Sequence, residues 1–166
     1  MYVKKFDLIC NRQDCPNGKL TKDKFVDLYK MFFAWGQPEK FCEHVFRTFD
    51  MDGNGYIDFK EFLLALAITS EGSMQERLKW AFRMYDINGD GHIEKPEMTL
   101  IVQALYEMLG PAVKNLPVDT PEQRTQVIFD KMDSNKDGCL TLKEFLNGCL
   151  EDPTLAVLLN VNPMEQ

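Results

Sequence analysis

No apolar run in this sequence approaches the roughly 18 residues that a membrane-spanning helix needs, so no such helix is expected. The start, Met1-Tyr2-Val3-Lys4-Lys5, has neither a signal-peptide pattern nor a glycine at position two for myristoylation. No Cys-x-x-Cys pair occurs either. The five cysteines, Cys10, Cys15, Cys42, Cys139 and Cys149, are odd in number and widely spread. That argues against a disulfide frame or a zinc site and reads as reduced thiols in a cytosolic protein, with Cys42 and Cys149 in the core. Histidine is scarce. His44 has no second ligand four residues away on its helix, so it reads as a packing or surface residue. Positive charge is outweighed: 19 Lys and Arg stand against 26 Asp and Glu, a net charge of −7, which argues against nucleic acid as a partner.

What is present is apolar bulk and patterned acid. Of the 166 residues, 45% are hydrophobic and 12 are Phe, enough for a sizeable core in one domain or two small lobes. The acidic excess gathers in a stretch that repeats. Asp50-Met51-Asp52-Gly53-Asn54-Gly55-Tyr56-Ile57-Asp58-Phe59-Lys60-Glu61 places oxygen donors at alternate positions and ends in a carboxylate. It matches the calcium-loop pattern D-x-[DN]-x-[DN]-G-x5-E without a mismatch. Ca²⁺ takes 6–8 oxygens at about 2.3–2.6 Å, so a loop that serves it must curl around a point. Asp50, Asp52 and Asn54 would supply side-chain oxygens, and Tyr56 its backbone carbonyl. Asp58 would act directly or through water, and Glu61 would bring two oxygens at once.

The same pattern returns twice. Residues 86–97 offer Asp86, Asn88, Asp90, the His92 carbonyl, Glu94 and Glu97. Residues 133–144 offer Asp133, Asn135, Asp137, the Cys139 carbonyl, Thr141 and Glu144. Three matches in one short chain make chance a poor explanation. If all three loops fill, the ions carry +6, which leaves a net charge of −1. The fourth loop has the fewest acids and is expected to bind most weakly. A degraded copy comes first, with Gln13, Cys15 and Asn17 at positions one, three and five and Lys24 at position twelve. An amide and an ammonium cannot replace the two end carboxylates, so this loop should not hold Ca²⁺. Leu20 nevertheless matches Ile57, Ile93 and Leu140 at the inward apolar position, where loops pair in a short strand, so the first loop should still prop its neighbour.

Between the loops, apolar residues recur at helical spacing. Phe41, Val45, Phe46 and Phe49 precede the second loop, and Phe62, Leu63 and Leu66 follow it. Thr69-Ser70-Glu71-Gly72-Ser73 reads as a polar hinge between lobes. Residues 110–121 read as a looser, proline-bearing stretch, and Leu155, Leu158 and Leu159 as one more short helix. The N-terminal half is richer in aromatics than two small helix–loop–helix units need. Part of this set, chiefly Trp35, Phe32, Phe46, Phe49 and Phe62, is expected to line a groove, with Trp80 as an addition.

Several stretches resemble the neuronal calcium sensor family, which includes recoverin, hippocalcin, neurocalcin and the visinin-like proteins. They are Asp14-Cys15-Pro16-Asn17-Gly18 in the degraded loop, His44-Val45-Phe46-Arg47-Thr48-Phe49-Asp50, Leu78-Lys79-Trp80-Ala81-Phe82-Arg83-Met84-Tyr85-Asp86 and Glu151-Asp152-Pro153. The resemblance implies an all-α fold of four EF-hands in two paired lobes, with short β-bridges between loops. The lobes would cover residues 1–70 and 74–166. It implies a non-enzymatic, cytoplasmic Ca²⁺ sensor in which Ca²⁺ exposes an apolar groove in the N-terminal half for a target helix. Family targets include receptor kinases, guanylate cyclases, ion channels and lipid kinases. Mg²⁺ is a candidate occupant at rest. Family members begin with Met-Gly and an acylated glycine. The Met1-Tyr2 start leaves two readings, a natural start farther upstream or a member without a myristoyl switch. The competing functional classes are a passive Ca²⁺ buffer, a constitutive regulatory subunit and, from another class, a luciferin-oxidising photoprotein. The last needs a closed polar cavity that the two histidines do not suggest.

Overall fold

Helix starts in this chain are set by reciprocal side-chain caps. The orphan N–H groups of a first turn need acceptors, and a Ser, Thr or Asp followed three residues later by Glu or Gln supplies them. Asp58 with Glu61, Ser73 with Glu76, Thr120 with Gln123 and Thr141 with Glu144 all form such boxes. Three of the four calcium-loop patterns thus end in, or are led into by, a helix whose first turn is already fixed.

The computed structural model of the chain describes residues 18–32, 36–110, 120–152 and 155, the side chains of Phe32 and Ser70 excepted. In chain order the elements are β1 (Leu20–Thr21), α1 (Lys22–Phe32), α2 (Glu39–Phe49), β2 (Tyr56–Ile57), α3 (Phe59–Glu71), α4 (Met74–Tyr85), β3 (His92–Glu94), α5 (Lys95–Leu109), α6 (Pro121–Met132), β4 (Cys139–Thr141) and α7 (Leu142–Glu151). The fold is all-α, with EF-hands paired through two antiparallel bridges. In the first, Leu20 faces Ile57; in the second, Ile93 faces Leu140. All four of these side chains are fully buried. The entering helix of the first hand and Gln13, Cys15 and Asn17 lie outside the described residues. The end of that loop keeps its propping role: Lys19 Nζ lies 5.4 Å from the centre of the Tyr56 ring, across the bridge. Leu20→Ala should therefore cost about 2–5 kcal/mol and weaken the Ca²⁺ binding expected of the second loop, although Leu20 itself offers that loop no ligand. Chemical denaturation and an ion titration of the same variant check both effects.

Aromatic side chains tie the helices together. Phe25 of α1 lies 5.7 Å from Phe46 and 5.5 Å from Phe49 of α2, ring centre to ring centre. Phe49 reaches on to Phe62 of α3 at 6.3 Å and to Trp80 of α4 at 5.5 Å, edge to face. In the second pair, Phe145 of α7 meets Phe82 at 5.6 Å and Tyr85 at 6.2 Å. Cys42 and Cys149 are core residues, as expected, and burial pushes both thiols up to about 12.

The connection between the two pairs is shorter than its polar sequence suggests. Helix α3 runs through Thr69 and Ser70 to Glu71, so Gly72 and Ser73 alone join it to α4. The reason is local. Thr69 donates its hydroxyl proton to the Ala65 carbonyl at 2.9 Å, which lets a polar residue stay helical in a buried position. Leu155 takes a helical position and is buried, whereas Leu158, Leu159 and residues 111–119 lie outside the described residues.

Candidate metal centre

Loop two is built around two carboxylates at opposite ends. Asp50, which caps α2, accepts N–H groups from Asn54 (3.0 Å) and Gly55 (2.9 Å). Glu61, in the first turn of α3, reaches back across the loop. Its Oε1 accepts from Met51 N (2.8 Å) and Asp52 N (3.2 Å), and its Oε2 from Asp58 N (3.0 Å). The consequence is convergence: one carboxylate oxygen each from Asp50, Asp52 and Glu61 lie within 4.8 Å of one another. Three such hard oxygens on a curled backbone fit Ca²⁺ better than Zn²⁺, which prefers His and Cys. Asn54 holds the turn between them, taking the Tyr56 N–H at 2.9 Å and giving its own amide N–H to Asp52 at 2.8 Å. Gly55 sits at φ 83°, a left-handed conformation that a Cβ would oppose.

Loop three repeats the plan. Asp86 accepts from Gly89 (2.8 Å) and Gly91 (3.0 Å), and Glu97 Oε1 accepts from Ile87 and Asn88, both at 3.0 Å. Glu97 Oε2 takes the Glu94 N–H at 2.9 Å. Asn88 and Asp90 exchange side-chain and backbone bonds at 2.9 Å, and Asp90 accepts from His92 N at 2.9 Å. Loop four does the same with Asp133, Asn135, Asp137 and Glu144. Asp133 accepts from Asp137 N (3.2 Å) and Gly138 N (3.0 Å). Glu144 accepts from Thr141 N at 3.0 Å, from the Thr141 hydroxyl at 2.8 Å and from the Ser134 hydroxyl at 3.0 Å. Tyr56, His92 and Cys139 open the bridge strands, as residues that lend only a backbone carbonyl would.

Comparison with known proteins agrees with this geometry. A family model for an EF-hand domain pair matches residues 16–69, and another of the same description matches residues 75–150. Neuronal calcium sensor 1 of Lymnaea stagnalis is 52% identical over 152 residues, covering 90% of this chain and 79% of that protein. The chain belongs to the neuronal calcium sensor family. Neuronal calcium sensor 1 of Aplysia californica is 53% identical over the same length and coverage. Human recoverin is 40% identical over 156 residues, 92% of this chain and 78% of that protein. As a neuronal calcium sensor relative with paired EF-hands and an acidic cluster, the chain is a Ca²⁺-binding protein of a sensor family. Among the described residues, no helix is long and apolar enough to cross a membrane.

Within this neuronal calcium sensor fold the three loops are not equivalent. Glu61 and Glu97 are buried, 9% and 7% exposed, while Glu144 is half-buried. Loop four also puts Lys136 at φ 59°, where loops two and three have Gly53 and Gly89. A side chain in that conformation costs about 1–2 kcal/mol. Hydrogen bonds hold two of its carboxyls below their ordinary range: the Thr141 N–H foremost at Glu144, and the Cys139 N–H foremost at Asp137. The Cys139 thiol, 3.1 Å from Asp137, is in turn pushed up to about 11 by that hydrogen bond.

Position nine has a structural duty. Asp58 accepts the Glu61 N–H at 2.9 Å and Thr141 that of Glu144 at 3.3 Å, so each caps the leaving helix as well as facing the loop. The Ser134 hydroxyl on Glu144 is a contact that no loop pattern records, because position two is unconstrained in it. Of the five residues expected to line a groove, Phe46, Phe49 and Phe62 are buried in the core, at 6%, 0% and 2% exposure. Trp35 and the side chain of Phe32 lie outside the described residues. Trp80 is also buried, against Phe49.

Proposed function

We propose that this protein is a non-enzymatic Ca²⁺ switch. It takes up to three ions, one each in loops two, three and four, and then holds an amphipathic helix of a target protein against apolar surface in its N-terminal half. The switching unit is residues 1–70, with residues 74–166 as the second pair. One observation carries the reading: the last ligand of each loop stands on the leaving helix and reaches back to the residues beside the entering helix. Glu61 does so through Met51 and Asp52, Glu97 through Ile87 and Asn88, and Glu144 through Ser134. A cation that recruits both oxygens of that carboxylate must change the angle between the two helices. In the N-terminal half, such a change separates Phe49 from the rings of Phe25, Phe62 and Trp80 and frees apolar surface of the kind a helix binds. Mg²⁺ is a candidate occupant of these loops at rest. The targets carried over from the family resemblance are a receptor kinase, a cyclase, a channel or a lipid kinase, met in the cytoplasm.

The test is capture of an amphipathic helical peptide in Ca²⁺ and in chelator, with an apolar fluorescent probe as a parallel readout. Binding of both only in Ca²⁺ supports the switch. Peptide binding in both conditions would make the protein a constitutive subunit, and binding of neither would make it a buffer.

The loops are ranked by burial of their last ligand and by the strain at Lys136, so loop four is the weakest. Glu144→Gln should remove the weakest of the calorimetric binding events. Loss of the tightest event would overturn the ranking.

A further inference from the structure

Arg47 belongs to the second hand and reaches into the third. It stands in the last turn of α2, three residues before Asp50, and its half-buried guanidinium leaves its own hand. It donates to the Met84 carbonyl at 2.8 Å, to the Arg83 carbonyl at 3.4 Å and to the Ile87 carbonyl. Two of these acceptors are carbonyls in the last turn of α4, which a helix leaves without internal partners and where the helix dipole favours a cation. The third belongs to position two of loop three. The same residue, Ile87, gives its N–H to Glu97 Oε1 at 3.0 Å. A continuous link therefore runs from Asp50 through α2 and Arg47 to Ile87 and Glu97, the last ligand of the next loop. Burial holds the guanidinium below its ordinary value, with the charges of Asp86 and Glu97 opposing that shift in part.

The other end of α2 is pinned to the same half of the molecule. Gln37 donates its N–H to the Glu107 carbonyl at 2.9 Å, and Lys40 pairs with the Glu107 carboxylate at 3.0 Å. A Cβ on Gly36 would lie 1.7 Å from the Met108 carbonyl oxygen, so the chain before α2 rests directly on the end of α5. Helix α2 thus belongs to the second hand by sequence and touches the C-terminal half at both ends.

We propose that Arg47 is a positioning residue that couples the second ion site to the third. An ion in loop two fixes Asp50 and with it the last turn of α2. Arg47 then holds the Ile87 peptide where Glu97 needs it, so loop three loses less freedom when it closes. By linkage the effect runs equally in reverse. The inference rests on the proposed Ca²⁺ binding of these loops. A planar guanidinium satisfies three carbonyls from two segments at once, which a lysine ammonium on a flexible stem does not reproduce.

The test is a cycle of four full-length proteins: wild type, Glu61→Gln, Arg47→Met and the double variant. Calcium affinity is read at loop three, identified as the event that Glu97→Gln removes. Silencing loop two should weaken loop three by about 5-fold in the wild-type background and leave it unchanged in the Arg47→Met background. Removing a positive charge beside loop three should also raise its intrinsic affinity. Arg47→Lys keeps the charge and should lose the coupling without that gain, which separates the link from simple electrostatics. In chelator, amide exchange at Ile87 should speed up in both Arg47 variants. An equal shift at loop three with and without Arg47, or unchanged exchange at Ile87, overturns the link and leaves the ion sites standing. Wild type that takes up no Ca²⁺ overturns the Ca²⁺-binding reading and the link together.

Discussion

Replacing Glu61 with glutamine should lower the Ca²⁺ affinity of loop two by on the order of 100-fold or more, at a cost to folding of about 1–3 kcal/mol. Calcium loops span many decades of affinity, set largely by how many charged oxygens they offer and how rigidly they hold them. Glu61 is the residue expected to bring two charged oxygens at once, from a position only 9% exposed. Glutamine keeps the length of the side chain, and its one carbonyl oxygen can still take the Asp58 N–H of the capping box, while the Met51 and Asp52 N–H groups lose their acceptor. The helix start therefore survives while the charge is lost. A calorimetric titration of the chelator-treated variant measures the effect. An affinity within about threefold of wild type would mean that Glu61 is only a cap.

Phe49→Ala should cost about 3–5 kcal/mol of stability, the largest loss we expect from any single core change in the N-terminal half. Its ring is fully buried and meets Phe25, Phe62 and Trp80, one from each of the three other helices around it. Truncation removes the hub instead of one spoke, and three rings cannot all relax into the space. Urea unfolding in chelator gives the value, and Trp80 emission should move toward longer wavelength as its edge-to-face neighbour disappears. A loss under about 1 kcal/mol would show that the rings are loosely held and that Phe49 is not the centre of this cluster.

The loops were legible in the sequence because their information is local. Twelve consecutive residues fix which oxygens converge, and the ladder of bonds on Asp50, Asn54 and Glu61 keeps that order. The bridge pairs Leu20 with Ile57 and Ile93 with Leu140 were legible for the same reason: each is the inward residue of its own loop. Polarity misled at residues 69–71. A run of Thr, Ser and Glu reads as a hinge, but a hydroxyl bonded to a carbonyl one turn back keeps the helix going. Periodicity marks Phe46, Phe49 and Phe62 as apolar without saying what covers them, and in this structure they cover one another and Trp80.

Contacts between distant segments carried no signal at all. Arg47 looks like an ordinary basic residue in the last turn of a helix, and nothing in its neighbours points 37 or 40 positions ahead to Met84 and Ile87. Gly36 likewise reads as a turn residue; its rest against Met108 comes from the tertiary fold alone. Lys136 was readable in principle. Loops two and three have Gly53 and Gly89 at the same position, and a lysine there announces a strained turn.

Three glycine amides offer the most direct test of ion binding. Gly55, Gly91 and Gly138 each donate to the first carboxylate of their loop, at 2.9, 3.0 and 3.0 Å. A dication on that carboxylate rearranges the acceptor and must shift the amide proton. Two-dimensional amide spectra recorded while Ca²⁺ is added to the chelator-treated protein should show all three resonances move, with Gly138 last. Resonances that stay fixed at micromolar Ca²⁺ would contradict the claim that these loops are ion sites.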